Sequence, residues 1–228
     1  RWPDLEAVDP PLLLVVPVGS CEQHGPHLPL DTDTRIACAL ADALAAGRQD
    51  AAVAPAITIG ASGEHAGFAG TLSIGTAVLT EVLVELARSA LPPPGVAPGP
   101  FGAVLFVNGH GGNVEALAAA AALLLSESRN VATWHPRVPD GDPHAGHTET
   151  SLMLHLHPDE VAMDLAEPGS TARFPEILDD LHSGGLAGVS PNGVLGDPRT
   201  ANGAHGAEIF EALLSDLVEV AGETLPSR

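Results

Sequence analysis

Ala103-Val104-Leu105-Phe106-Val107 runs directly into Asn108-Gly109-His110-Gly111-Gly112-Asn113, and an Ala- and Leu-rich segment follows to about Ser126. Five apolar residues in a row, bounded by turn residues, read as a strand buried on both faces. The glycines allow a tight turn and a close approach of the backbone to a ligand. The segment after the turn has the length and composition of a helix. Strand, Gly-rich turn and helix in that order form the repeating unit of a parallel α/β sheet.

The same alternation extends in both directions. Residues 12–16 are a continuous apolar run between prolines and read as a second buried strand. A Gly-, His- and Pro-rich loop follows over 19–30. Residues 34–47 carry Ile36, Leu40 and Leu44 at helical spacing, with Asp33 in the N-cap position. Residues 52–59 read as a strand, 60–75 as a long Gly-rich loop, and 76–91 as a helix ended by the prolines at 92–94. Residues 92–102 read as a surface connection. Strand 131–134, loop 135–146, helix 149–156, an irregular 166–203 with a helix at 175–182, and a terminal amphipathic helix at 207–225 complete the chain. The expected fold is α/β, a three-layer α/β/α sandwich with a mainly parallel central sheet, in one domain spanning 1–228. In such sheets ligands bind beyond the carboxyl ends of the strands. The 19–33 and 108–113 clusters both follow a strand, so the fold brings them to one edge.

Charge narrows the choice of partners. The formal net charge is -20 and lysine is absent. A chain this acidic repels nucleic acid and anionic membrane surfaces, whereas an acidic cleft suits divalent cations. Two cysteines do not make a disulfide framework, and reduced thiols point to the cytoplasm. No apolar run approaches the roughly 20 residues a membrane-spanning helix needs.

Three clusters could carry chemistry. The first holds Glu22, His24 and Asp33. Glu22 and His24 are two apart, so an extended chain points both the same way. A carboxylate with an imidazole is ordinary ligand chemistry for Zn, Mn or Fe, and Asp33 could bridge two ions. A polar loop that only caps turns reads the same way. The second cluster centres on His110, where free N–H groups near Gly111 and Gly112 could hold an oxyanion. A Gly-rich turn with a solvent-facing His is the bland alternative. The third runs from His144 to Ser151, with His144 and Glu149 five apart across a loop-to-helix junction. A Glu in a first helical turn is also favoured by the helix dipole alone. Ser62, Glu64 and His65 of the 60–75 loop are candidate substrate contacts. Cys21 is a poor nucleophile candidate because no base is evident beside it. His155, His157, His182 and His205 read as helix-end or surface residues.

Together the clusters resemble the creatininase family along residues 12–210. The Glu22-Gln23-His24-Gly25-Pro26-His27-Leu28-Pro29 run, the Thr-Asp ending at Asp33, the 108–113 turn and the His144 to Glu149-Thr150-Ser151 segment occur in that family's order. The resemblance implies two divalent metal ions per subunit (Zn, Fe(II) or Mn). It implies Glu22, His24, Asp33, His110 and Glu149 as ligands, Asp33 as the bridge, and His144 as the catalytic residue. It also implies a homo-oligomer, a hexamer or similar closed ring. One position departs from creatininase itself, which carries a metal-binding Glu two residues after the second-motif His. Gly112 stands there, which argues against creatinine as substrate. Segments 60–65, 70–75 and 190–198 look like the family's peptidase branch in mycofactocin maturation. That branch implies, as partner, the modified mycofactocin precursor peptide and release of its C-terminal Val-Tyr. The alternatives are a small-molecule amidohydrolase acting on a cyclic amide or formamide, and a non-catalytic metal-stabilised scaffold.

Overall fold

The structure, a computed structural model, describes residues 1–6, 11–93, 96 and 99–226. Helix α1 (Trp2–Glu6) precedes strand β1 (Leu12–Val18). Then follow α2 (Thr32–Ala46), β2 (Ala51–Val53), α3 (Gly75–Ala90), β3 (Phe101–Asn108), α4 (Val114–Ser126), β4 (Val131–Trp134), α5 (His147–Leu156), α6 (Phe174–Val189) and α7 (Gly203–Thr224). Parts of the expected 92–102 connection, and side chains within the expected 175–182 helix including that of His182, lie outside the described residues.

The four strands form one all-parallel sheet in the order β2-β1-β3-β4. The period-2 alternation of a strand sorts its side chains onto two faces. Leu13, Val15, Ala103, Leu105 and Val107 pack with apolar residues of α2, α5 and α7. Leu14, Val16, Val18, Val104 and Phe106 pack with α3 and α4. Both faces of β1 and β3 are therefore covered, which is why their sequences are apolar without a break. The result is the expected three-layer α/β/α sandwich. Trp134 closes β4, 2% exposed, and donates its indole N–H to Asp216 of α7 at 2.6 Å.

This topology makes the site. The chain leaves β1 for α2 on one face of the sheet and leaves β3 for α4 on the other. The connections of two neighbouring strands thus diverge, opening a crevice at their carboxyl ends.

Three expectations need correction. The 52–59 strand shrinks to Ala51–Val53, beyond which Ile57 makes one isolated bridge to Val18. Pro55 lacks an N–H and ends the ladder at this edge. Helix α2 begins at Thr32, so Asp33 lies inside its first turn and caps nothing; its side chain is free for the site. Helix α6 continues past 182 to Val189, with Gly185 at φ 66 interrupting it.

Candidate metal centre

After β1 the chain turns back on itself, with Glu22 N–H bonded to Leu30 C=O at 2.9 Å. This puts Glu22 and His24 under the start of α2, with both side chains fully buried. Gly109 carries β3 past α2 so closely that a Cβ there would lie 2.3 Å from the Asp33 carbonyl oxygen. His110 thereby reaches Asp33. Asn113 secures the crossing: its Nδ2 donates to Gly19 C=O and its Oδ1 accepts from Ala61 N–H, each at 2.9 Å. One amide joins the loops after β1, β2 and β3.

The side chains meet as two groups that share Asp33. Glu22, Asp33 and His110 form one, and His24, Asp33 and Glu149 the other. Asp33 turns Oδ1 toward His24 Nε2 at 3.0 Å and Oδ2 toward His110 Nδ1 at 3.2 Å. Ser20 donates its hydroxyl proton to Oδ2 at 2.7 Å and fixes that orientation. His24 Nδ1 donates to Glu22 C=O at 3.2 Å, so Nε2 is the nitrogen turned toward Asp33 and, at 3.7 Å, Glu149. Glu149 Oε2 accepts from Ala145 N–H at 2.6 Å.

The charges call for a cation. Both oxygens of Glu22 are buried with no hydrogen-bond partner; His110 Nδ1 is 3.1 Å from one of them but off the hydrogen-bond direction. An uncompensated buried carboxylate costs several kcal/mol. Burial would depress His24, but Asp33, Glu149 and Glu22 outweigh it and raise its pKa to about 10. His110 is likewise raised by Glu22 and Asp33 against the pull of burial. Burial, with Asp33 and Glu22 beside it, lifts Glu149 to about 7. Three carboxylates thus recruit protons onto two imidazoles in place of a stronger cation. A mixed N/O set with unsatisfied buried oxygens fits divalent metals.

His144 is held differently. Its Nε2 is 3.0 Å from Gln23 C=O and donates there, so Nδ1 carries the lone pair, 3.9 Å from Glu22. Burial and the neighbouring His24 and His65 push its pKa well below the usual imidazole range. It also lies near enough to Glu22 and His24 to count geometrically as a possible third donor. His65 accepts from Gln23 Nε2 at 3.1 Å through Nδ1 and turns Nε2 to Glu22 Oε1 at 3.3 Å.

The structure thus gathers Glu22, His24, Asp33, His110, His144 and Glu149 at one place. Ser62, Glu64 and His65 border His110: Ser62 Oγ is 3.5 Å and Glu64 Oε1 3.4 Å from its Nε2. Gly111 is exposed and Gly112 faces Glu64. His110 is 5% exposed, which removes the solvent-facing alternative. The Cys21 thiol points to Gly70 C=O at 3.8 Å. Sequence reasoning missed Gln23, whose buried amide touches His65, His144 and Gly193 and accepts from Gly25 N–H. It also missed Ser20 and Asn113. Their one signal was a polar residue beside each ligand motif.

Comparisons with known proteins agree with this fold. The family model described as "Creatininase: Creatinine amidohydrolase" matches residues 1–221. A protein of Mycolicibacterium smegmatis named mycofactocin precursor peptide peptidase is 52% identical over 222 residues, 95% of this chain and 87% of that protein. The protein of that name from Mycobacterium tuberculosis is 49% identical over 223 residues, 93% of this chain and 86% of its own. A solved structure described as "Creatininase Mn" superposes with a TM-score of 0.78 at 26% identity, covering 99% of this chain and 96% of the other. Another, a mutant creatininase described as "Zn-Zn type", gives 0.74 at 26% identity over 94% and 91%. The chain therefore belongs to the creatininase family, and it is a hydrolase of amide C–N bonds.

Proposed function

We propose that the chain is a metal-dependent peptidase of mycofactocin biosynthesis. On this reading it hydrolyses one peptide bond of the modified precursor peptide and releases the C-terminal Val-Tyr dipeptide. The observation that carries the substrate is the 52% identity, over 95% of this chain, to a protein named for that activity. The observation that carries the metal is the pair of unpartnered, buried Glu22 oxygens among three imidazoles.

Glu22, Asp33 and His110 would hold one divalent ion, and His24, Asp33 and Glu149 a second, with Asp33 common to both. Zn, Fe(II) and Mn suit such donors. When bound, divalent ions supply Lewis acidity and a nucleophilic water at neutral pH. The chain's own residues do the rest. His144 stays neutral near pH 7 and can take a proton at Nδ1 and pass it to the leaving amine. Gln23 C=O fixes its tautomer. Free N–H groups near Gly111 and Gly112, together with Ser62, Glu64 and His65, border the place a substrate carbonyl would occupy.

The same reading takes residues 1–228 as one domain, supported by two apolar layers that share one sheet. It takes the protein as cytoplasmic, supported by two cysteines outside any disulfide. Among the described residues no helix is long and apolar enough to cross a membrane. A homo-oligomer, a hexamer or similar closed ring, belongs to this reading too.

The decisive experiment is mass spectrometry of the modified precursor peptide incubated with metal-loaded protein and with a chelated control. Loss of Val-Tyr only in the loaded sample is expected. An intact peptide beside confirmed bound metal would shift the assignment to a small-molecule amidohydrolase.

A further inference from the structure

His110 presents its two nitrogens to different surroundings. Nδ1 lies 3.1 Å from Glu22 Oε1 and 3.2 Å from Asp33 Oδ2. Nε2 faces the other way, toward Ala61 C=O at 3.2 Å, Glu64 Oε1 at 3.4 Å and Ser62 Oγ at 3.5 Å. A neutral imidazole that offers Nδ1 to a cation must keep its proton on Nε2 and give it to an acceptor. We propose that Glu64 is a positioning residue of the metal centre: the Ala61 carbonyl accepts the Nε2–H of His110, and the Glu64 carboxylate beside it, 3.4 Å from that nitrogen, adds the charge that fixes the ring for ligation through Nδ1. The proposal rests on reading Glu22, Asp33 and His110 as a metal-holding group.

Gly112 supplies an independent observation. A Cβ at 112 would come within 2.3 Å of Ala61 C=O, 2.4 Å of His110 Nε2 and 2.5 Å of Glu64 Oε1. Those are the three partners of the proposed contact. Any side chain at 112 would enter the space in which they converge, so glycine there is what admits the Glu64 carboxylate. Glu64 belongs to neither group that shares Asp33, nor to the one that includes His144. Its other close partner in the site is His65, at 4.0 Å. It therefore acts on the centre through His110. A carbonyl acceptor alone would set the tautomer. A carboxylate in addition raises the basicity of the ring, and loss of such outer partners typically costs about 10- to 100-fold in metal affinity.

The test uses the full chain with Glu64→Gln and Glu64→Ala. Three quantities are read: Zn(II) and Mn(II) affinity by competition with a chromophoric chelator, the His110 ring resonances by nitrogen-15 NMR on the metal-free protein, and KM for the modified precursor peptide with the metal-loaded protein. Circular dichroism verifies the fold; Glu64 is partly exposed, so neither change should unfold the chain. Glu64→Gln, which keeps an acceptor but loses the charge, should weaken one site about 10-fold. Glu64→Ala should weaken it further, toward about 100-fold. The His110 Nε2 resonance should move in both. Wild-type affinity with unmoved His110 resonances overturns the proposal. So does a raised KM at unchanged metal affinity, which would make Glu64 a substrate contact. If the wild-type protein bound neither metal, the metal-centre reading would fail by itself. The NMR shift would still decide whether Glu64 acts on the His110 ring, and an unmoved resonance would overturn that contact.

Discussion

Asp33 and His144 sit in the same buried cluster, and the proposed function gives them separable tasks. Asp33 offers one oxygen to each group of donors, so Asp33→Ala should abolish metal uptake, read as metal per subunit by plasma mass spectrometry. His144 offers a single lone pair while Gln23 C=O takes its proton. His144→Ala should keep the metal content and lower kcat by about 10²- to 10⁴-fold, the usual reach of a general acid-base group. Loss of metal in that variant would make His144 a ligand instead. The clusters that hold the candidate ligands were legible in the sequence: two of them follow apolar runs read as strands, and the order of all three resembles the creatininase family. Gln23 and Ser20 were not. Their roles depend on which atoms face them after the chain folds back, and a lone Gln or Ser carries no spacing signal.

Among the elements, the junction of β3 with α4 decides how precisely the donors meet. Gly109 admits α2 within van der Waals contact, whereas a Cβ on Gly111 would meet nothing within 4 Å. Gly109→Ala should therefore push α2 off the strand end and destabilise the fold by about 1–3 kcal/mol, as overpacking does. Gly111→Ala should lie within about 0.5 kcal/mol of wild type, as surface changes usually do. Urea denaturation of the two variants checks the contrast, and equal midpoints would refute it. The apolar runs made β1, β3 and β4 readable, while β2 was overestimated. Apolar residues continue past Val53, but hydrogen bonding at a sheet edge stops where proline removes the donor. The first turn of α2 was misread for a related reason. An Asp at a helix start looks like a cap, and only the tertiary fold assigns it to Ser20, His24 and His110 instead.

For the molecule as a whole, the outer surface of the α3–α4 layer carries apolar side chains that the core does not use. Val78 and Val82 are one turn apart on α3 and both exposed, whereas Leu123 and Leu125 are exposed on opposite flanks of the neighbouring α4. The Val78–Val82 strip is the part of this layer that shares one face, and a contiguous apolar strip can pair with another protein. Self-association through this layer should give a solution mass that is a multiple of 23.1 kDa by light scattering, and Val78→Glu with Val82→Glu should reduce it. A wild-type mass of one chain would refute the oligomer. Neither residue contacts the metal-centre side chains, so the fold should survive the change.

Trp134 gives the protein an optical consequence. The chain has no tyrosine and two tryptophans, one sealed between β4 and α7 and the other, Trp2, 71% exposed on α1. Its ultraviolet emission is then the sum of a blue-shifted and a red-shifted component. With Trp2 replaced by Phe, the remaining fluorescence would come from one indole. The colour of that light would follow whether the last helix is still docked on the sheet.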